Sequence, residues 1–93
     1  MKAKLVFKDK LKVSDRCFAE LVIWQVPTAL KGSFHDYKYR LAFVVDEVCV
    51  LRYDNEVGKG DHKHIGNREY EYAFTTLKAL REDFLADVER LKK

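Results

Sequence analysis

Apolar and polar residues alternate along much of the N-terminal part of the chain. Ala3, Leu5 and Phe7 alternate with Lys2, Lys4 and Lys8, the period of a strand with one wet face. Asp9-Lys10 predicts a turn, Leu11 to Ser14 a few more strand residues, and Ser14-Asp15 a second turn. Cys17 to Val26 (CFAELVIWQV) is apolar on both faces except at Glu20 and Gln25, which predicts a central strand. Pro27 cannot donate to a ladder and ends it. Thr28 to Phe34, with Gly32-Ser33, predicts a connecting loop. Tyr37 to Val45 and Val48 to Tyr53 form the clearest hairpin, turning at Asp46-Glu47. A two-residue turn there opposes Val45 to Val48, Phe43 to Val50, Leu41 to Arg52 and Tyr39 to Asp54. On the other face it opposes Val44 to Cys49, Ala42 to Leu51, Arg40 to Tyr53 and Lys38 to Asn55. A slip of a single position would turn every side chain to the opposite face.

The alternation fails from Arg52 to Tyr72, a polar stretch with three of the four glycines and two of the three histidines. It predicts a functional loop rooted at the open end of the hairpin. Glu69 to Phe74 can add a short last strand. The period then changes. Leu77, Leu80, Phe84, Val88 and Leu91 form one apolar stripe, which predicts a helix over Thr75 to Lys92 capped by Thr75 or Thr76. Arg81, Glu82, Asp83, Asp87, Glu89 and Arg90 are assigned to its wet side, with Lys92 and Lys93 suiting the dipole at its end. The expected fold is α+β: an antiparallel sheet of about five strands covered on one face by a C-terminal helix, in one domain. Val22, Trp24 and Val26 share one face of the second strand, and Leu21 and Ile23 the other. One helix cannot cover both, so a homodimer or another partner surface is expected.

Composition narrows the function classes. With 93 residues, 47% of them hydrophobic, a net charge of +3 and twelve aromatics, the chain is globular and not a basic coat for nucleic acid. Contact with RNA must come from local clusters of Lys and Arg. Cys17 and Cys49 lie in apolar runs without a CxxC partner and are read as buried, reduced thiols. MKAKLVFKDK has no long apolar run of the kind a signal peptide needs. No stretch approaches the roughly 18 apolar residues of a membrane span. A cytoplasmic protein is expected.

The central stretch carries the candidate chemistry. Gly58-Lys59-Gly60 can present backbone N–H groups and an ammonium to an anion, although it lacks the spacing of a P-loop. His62 and His64 would point to the same side of extended backbone, where one imidazole can act as base and the other as acid. Lys59 and Lys63 would stabilise charge on phosphate oxygens. Asp61, Asp54 or Glu56 would orient a histidine. Lys38 and Arg40, at the open end of the hairpin beside Tyr53 and Asn55, would grip phosphate. Pairs of tyrosines two apart, Tyr37 with Tyr39 and Tyr70 with Tyr72, can stack on bases or pack the sheet. HxH with a carboxylate lacks the fixed spacing of a zinc site, so no metal and no cofactor is assigned.

The ordered set VIW-x-VP (Val22 to Pro27), YKYRLAFV (Tyr37 to Val44), YDNE-x-GKGDH-x-H (Tyr53 to His64) and DFLADVERL (Asp83 to Leu91) resembles the TumE family. The likeness covers nearly the whole chain and is carried most by the long central motif. It implies a cytoplasmic toxin of a toxin–antitoxin pair, held by a cognate antitoxin, often of helix-turn-helix type. Joined to the residues, it gives a toxin acting on RNA or another phosphate-bearing target through the GKGDHKH loop. His62, His64, Lys59, Asp61 and Asp54 would be catalytic, and Lys38, Arg40, Gly58, Gly60 and Lys63 would bind phosphate. The alternatives are a non-enzymatic module that binds nucleic acid or protein, and a metal held for structure alone.

Overall fold

Six strands follow one another as a meander: β1 (Lys4–Ser14), β2 (Cys17–Gln25), β3 (Tyr37–Val45), β4 (Val48–Glu56), β5 (Gly60–Ile65) and β6 (Arg68–Glu71). Each pairs antiparallel with the next, so spatial order equals chain order. The helix α1 (Leu77–Leu91) closes the described chain. This computed structural model describes residues 3–92; Lys2 of the alternating run and Lys93 of the helix end lie outside the described residues. The architecture is the expected α+β, with one strand more than expected.

That extra strand comes from the polar stretch, which is not a loop. β4 runs on to Glu56, Val57–Lys59 turns, and β5 and β6 form a second hairpin around Gly66-Asn67. Positive φ at Gly58 (85°), Gly60 (77°) and Gly66 (61°) explains the glycines of these turns. Period two persists here in charge instead of hydrophobicity, and so it is hard to see. The Asp9-Lys10 turn does not form either: Asp9 pairs with Leu21 and Lys10 with Glu20 inside one strand of 11 residues.

The β3–β4 turn is as expected, with Asp46 (φ 49°) and Glu47 (φ 68°) both in the left-handed region that a type I′ turn requires. Val45 faces Val48 and Val44 faces Cys49, but a bulge then shifts the register, so Phe43 faces Leu51, Leu41 faces Tyr53, Ala42 faces Arg52 and Arg40 faces Asp54. The physical reason is burial. Unbroken pairing would turn Arg52 and Asp54 to the core side with Leu41 and Tyr39. The extra residue, Val50, turns Leu51, Tyr53 and Asn55 inward instead, where each is 1% exposed.

The inner face carries the core: Ala19, Leu21, Ile23, Tyr39, Leu41, Phe43, Leu51 and Tyr53, against Leu80, Phe84 and Val88 of the helix. Burying each of the three helix side chains contributes on the order of 1.5–3 kcal/mol, an upper estimate. Thr76 is the N-cap, its hydroxyl accepting the Ala79 N–H at 3.0 Å. Asp87, assigned above to the wet side, is buried beside Val88. Cys17 is buried, but Cys49 is exposed; both are free thiols. The outer face of the sheet has no helix on it and leaves Leu5 and Trp24 exposed. Among the described residues no helix is long and apolar enough to cross a membrane.

Candidate functional site

Strand β5 divides the central motif between the two faces of the sheet. Asp61 and Lys63 point inward, His62 and His64 outward. Each set meets the matching set on β4: Asp61 faces Asn55 and Lys63 faces Tyr53, whereas His62 faces Asp54 and His64 faces Arg52.

Inward, Asp61 is the hub of a buried polar network. Its carboxylate accepts from Ser33 Oγ at 2.6 Å, His35 Nε2 at 2.6 Å and Tyr39 Oη at 2.7 Å. His35 Nδ1 accepts the Tyr37 N–H at 3.1 Å, so the imidazole proton sits on Nε2 and points at Asp61. Asn55 donates to the Tyr37 carbonyl at 2.7 Å and accepts the Tyr39 N–H at 3.0 Å. Phe74 stacks on His35 with ring centroids 3.8 Å apart. The network pins residues 26–36 to the sheet. Glycines make the approach possible: a Cβ on Gly60 would stand 2.7 Å from the Gly32 carbonyl oxygen, and one on Gly32 would stand 2.7 Å from the Gly60 nitrogen. The Gly58 N–H donates to Lys31 O at 2.6 Å and the Lys59 N–H to Glu56 O at 3.1 Å. These two amides of the anticipated anion nest are therefore engaged within the fold. A cleft of about 510 Å³ opens beside the network, lined in part by His35, Lys59, Asp61 and Phe74.

A second inward node ties the sheet to the helix. Tyr53 Oη and Arg90 hydrogen-bond Asp87, and Lys63 Nζ reaches the same carboxylate at 3.2 Å. Burial alone would raise the Asp87 carboxyl, but donors from Tyr53, Arg90 and Lys63 hold it below the ordinary carboxylate range. Burial, followed by the hydrogen bond to a carboxylate, pushes the phenols of Tyr39, Tyr53 and Tyr72 well up.

Outward, the contacts are looser. His62 Nε2 lies 3.5 Å from Glu69 Oε1, His64 Nε2 lies 3.6 Å from Asp54 Oδ1, and His64 Nδ1 lies 3.9 Å from Glu69 Oε2. His62 Nδ1 faces the Gly60 carbonyl at 3.2 Å, so it carries a proton there and leaves Nε2 toward Glu69. Arg52 Nε stands 2.9 Å from Asp54 Oδ2, an ion pair whose N–H is not aligned for a hydrogen bond, and that Nε is otherwise buried without a partner. Arg40 is the next cation along, opposite Asp54 on β3. Two imidazoles, each near a carboxylate and flanked by guanidinium groups, can move protons at a phosphorus centre.

The structure thus brings His62, His64, Asp54 and Arg40 together on one face, with Lys38 two residues before Arg40 on the same side. It sets Asp61, Lys63, Tyr53 and Asn55 on the other. Lys59 lies at the turn, 3.8 Å from Glu56. Tyr37 and Tyr39 pack around His35 and Phe74. Sequence reasoning missed Ser33, His35, Arg52, Glu69 and Asp87. A Ser and a His two apart in the one polar stretch between strands was the available signal for the first two. Among the described residues no group of three or more His, Cys, Asp or Glu side chains is arranged to hold a metal ion.

A family model described as Toxin TumE matches residues 2–92. The chain belongs to the TumE family. Members are toxins of toxin–antitoxin pairs, and a cognate antitoxin is the partner that membership implies. No curated protein and no solved structure matches the chain. The motif that carries the family likeness, Tyr53 to His64, is the same stretch that builds both the inward network and the outward cluster.

Proposed function

We propose that this TumE-family chain is a cytoplasmic toxin that acts on RNA or another phosphate-bearing target, with His62 and His64 moving protons on the open face of the sheet. The observation that supports this reading is the pairing of two imidazoles on one uncovered face, each beside a carboxylate. One imidazole takes a proton from the attacking hydroxyl and the other returns one to the leaving oxygen, the general acid–base role in which histidine is most often used. Arg40 and Arg52 meet the phosphate oxygens, Lys38 extends the cationic side, and Asp54 orients His64. The cognate antitoxin, of helix-turn-helix type, neutralises the toxin by covering this face.

Expression of His62→Ala and His64→Ala variants tests the reading. Each loses growth inhibition while its circular dichroism and melting temperature stay those of the parent. Retained toxicity in both overturns it. A binding module without catalysis is the second reading, supported by the exposed apolar residues Leu5 and Trp24 on the same face. Incubation with total RNA separates the two. Fragments that survive chelation support histidine chemistry, fragments lost on chelation support a metal, and binding without fragments supports the module. A homodimer through the apolar residues is tested by sedimentation.

A further inference from the structure

The open face is uneven in charge. Lys8, Lys10 and Lys12 of β1 stand opposite Val22, Glu20 and Phe18, and Lys38 and Arg40 of β3 stand opposite Trp24 and Val22, so all of these side chains share that face. Within β1–β4 the carboxylates on it are Glu20, Asp54 and, at the end of β4, Glu56; Asp54 is engaged by Arg52 and Glu56 by Lys59. Lys12 pairs with Asp15, and the Lys10 ammonium lies over the Phe18 ring at 4.5 Å. Among the described residues Lys8, Lys38 and Arg40 make no ion pair. The β6 side is acidic, with Glu69 and Glu71 behind the histidines.

Trp24, the only tryptophan of the chain, sits in the cationic half, 38% exposed, between Leu5 on β1 and Lys38 on β3. One transverse row runs Lys8, Val22, Arg40, Asp54, His62. At about 4.8 Å per strand it covers roughly 19 Å from β1 to β5. Unpaired cations complement a polyanion. An exposed indole among them offers a surface on which a base stacks. A duplex hides its base faces, whereas a single strand presents them.

We propose that the β1–β3 part of the open face is a track for single-stranded nucleic acid. A base stacks on Trp24, phosphates lie on Lys8, Lys38 and Arg40, and the strand runs across the sheet towards His62 and His64. The inference rests on the nucleic-acid reading above and adds the form of the substrate and the residues that hold it. An acidic protein partner would meet the same cations without needing the indole.

The test uses the intrinsic fluorescence of Trp24 in the whole chain, titrated with a short oligouridine and with an RNA duplex of similar length. The oligouridine quenches the emission and binds at least tenfold tighter than the duplex. Trp24→Ala, followed by anisotropy of a labelled oligouridine, weakens binding roughly tenfold, and Trp24→Phe restores part of it. The triple variant Lys8→Gln, Lys38→Gln, Arg40→Gln lowers the slope of log affinity against log salt by about 2, as three lost phosphate contacts require for a single strand. No quenching, equal binding of the duplex, or unchanged affinity in both the Trp24→Ala and triple variants overturns the track, even if RNA is still cut in a His62-dependent way. Quenching and variant effects as stated, with RNA left intact, support the track and count against the catalytic reading instead.

Discussion

The two faces of β5 use the same kinds of residue to opposite ends. Inward, Asp61 holds three donors at 2.6–2.7 Å, and its side chain is 7% exposed. Outward, the histidines meet carboxylates only at 3.5–3.9 Å, with side chains 16% and 26% exposed. Both regions contain histidine and carboxylate: β5 supplies the inward carboxylate and the outward histidines, and His35, Asp54 and Glu69 come from other segments. What differs is satisfaction. A buried carboxylate with every donor in place is a structural hub, because each of its partners would be stranded without it. Side chains in loose contact at an open surface are free to meet something else. Residue type alone therefore says little about role; the face and the closeness of the contacts decide it.

The sharpest way to break the comparison is Asp61→Ala. It strands Ser33, His35 and Tyr39 and frees the loop they pin, which costs about 3–5 kcal/mol. Urea unfolding reads the loss, and a change below about 1 kcal/mol would deny that Asp61 is a hub. Gly60→Ala comes next. Its Cβ would press on the Gly32 carbonyl oxygen at 2.7 Å, and the positive φ disfavours any side chain, so about 2–3 kcal/mol is expected. Gly58→Ala has the same type of φ but nothing within 4 Å of its Cβ, so it costs less. A reversed order would show that the Gly32–Gly60 contact does not carry the docking.

The unequal legibility of these regions has a physical cause. The helix was plain because apolar residues at three and four apart have one interpretation, and Leu80, Phe84 and Val88 are where that stripe places them. The β3–β4 turn was plain too. The bulge at Val50 was not. Nothing local separates a run with one extra residue from an unbroken one, and only the cost of burying Arg52 and Asp54 selects it. β5 was hidden because its inward residues are Asp61 and Lys63, which are inside by virtue of partners far along the chain. Asp87 misled for the same reason. The spacing of His62 and His64 did place them on one side, but it also invited grouping them with Asp61 and Lys63. Alternation within a strand separates what proximity in sequence joins.

The inward phenols add a pH test. Tyr39, Tyr53 and Tyr72 have pKa values raised above their ordinary value, so the folded state keeps protons that the unfolded chain releases near pH ~10. Their contribution is fully present below that pH and is lost as the pH rises towards the folded values. Stability should fall by up to about 1.4 kcal/mol for each of the three phenols by pH ~11, less for the partly exposed Tyr72, seen as a falling urea midpoint. Tyr39→Phe should start less stable and show a shallower decline. A flat profile to pH ~11 would place the phenols in a wetter setting than the network requires.

The smallest expected effect on stability is the most informative about the outward region. His62→Gln with His64→Gln removes long ion pairs on an uncovered face and the His62 contact to the Gly60 carbonyl, worth about 1 kcal/mol together. Glutamine keeps size and polarity but cannot exchange a proton near neutral pH. The double variant should therefore unfold at nearly the parental urea concentration and yet lose the activity of the face by a factor of 10² or more, the range in which general acid–base groups act. If it destabilises the chain as much as Asp61→Ala, the outward histidines are a second structural hub, and the contrast between the faces fails. If it is stable and fully toxic, the contrast in packing survives but the outward groups do no chemistry. Only a stable, inactive variant leaves one face holding the fold and the other performing the reaction.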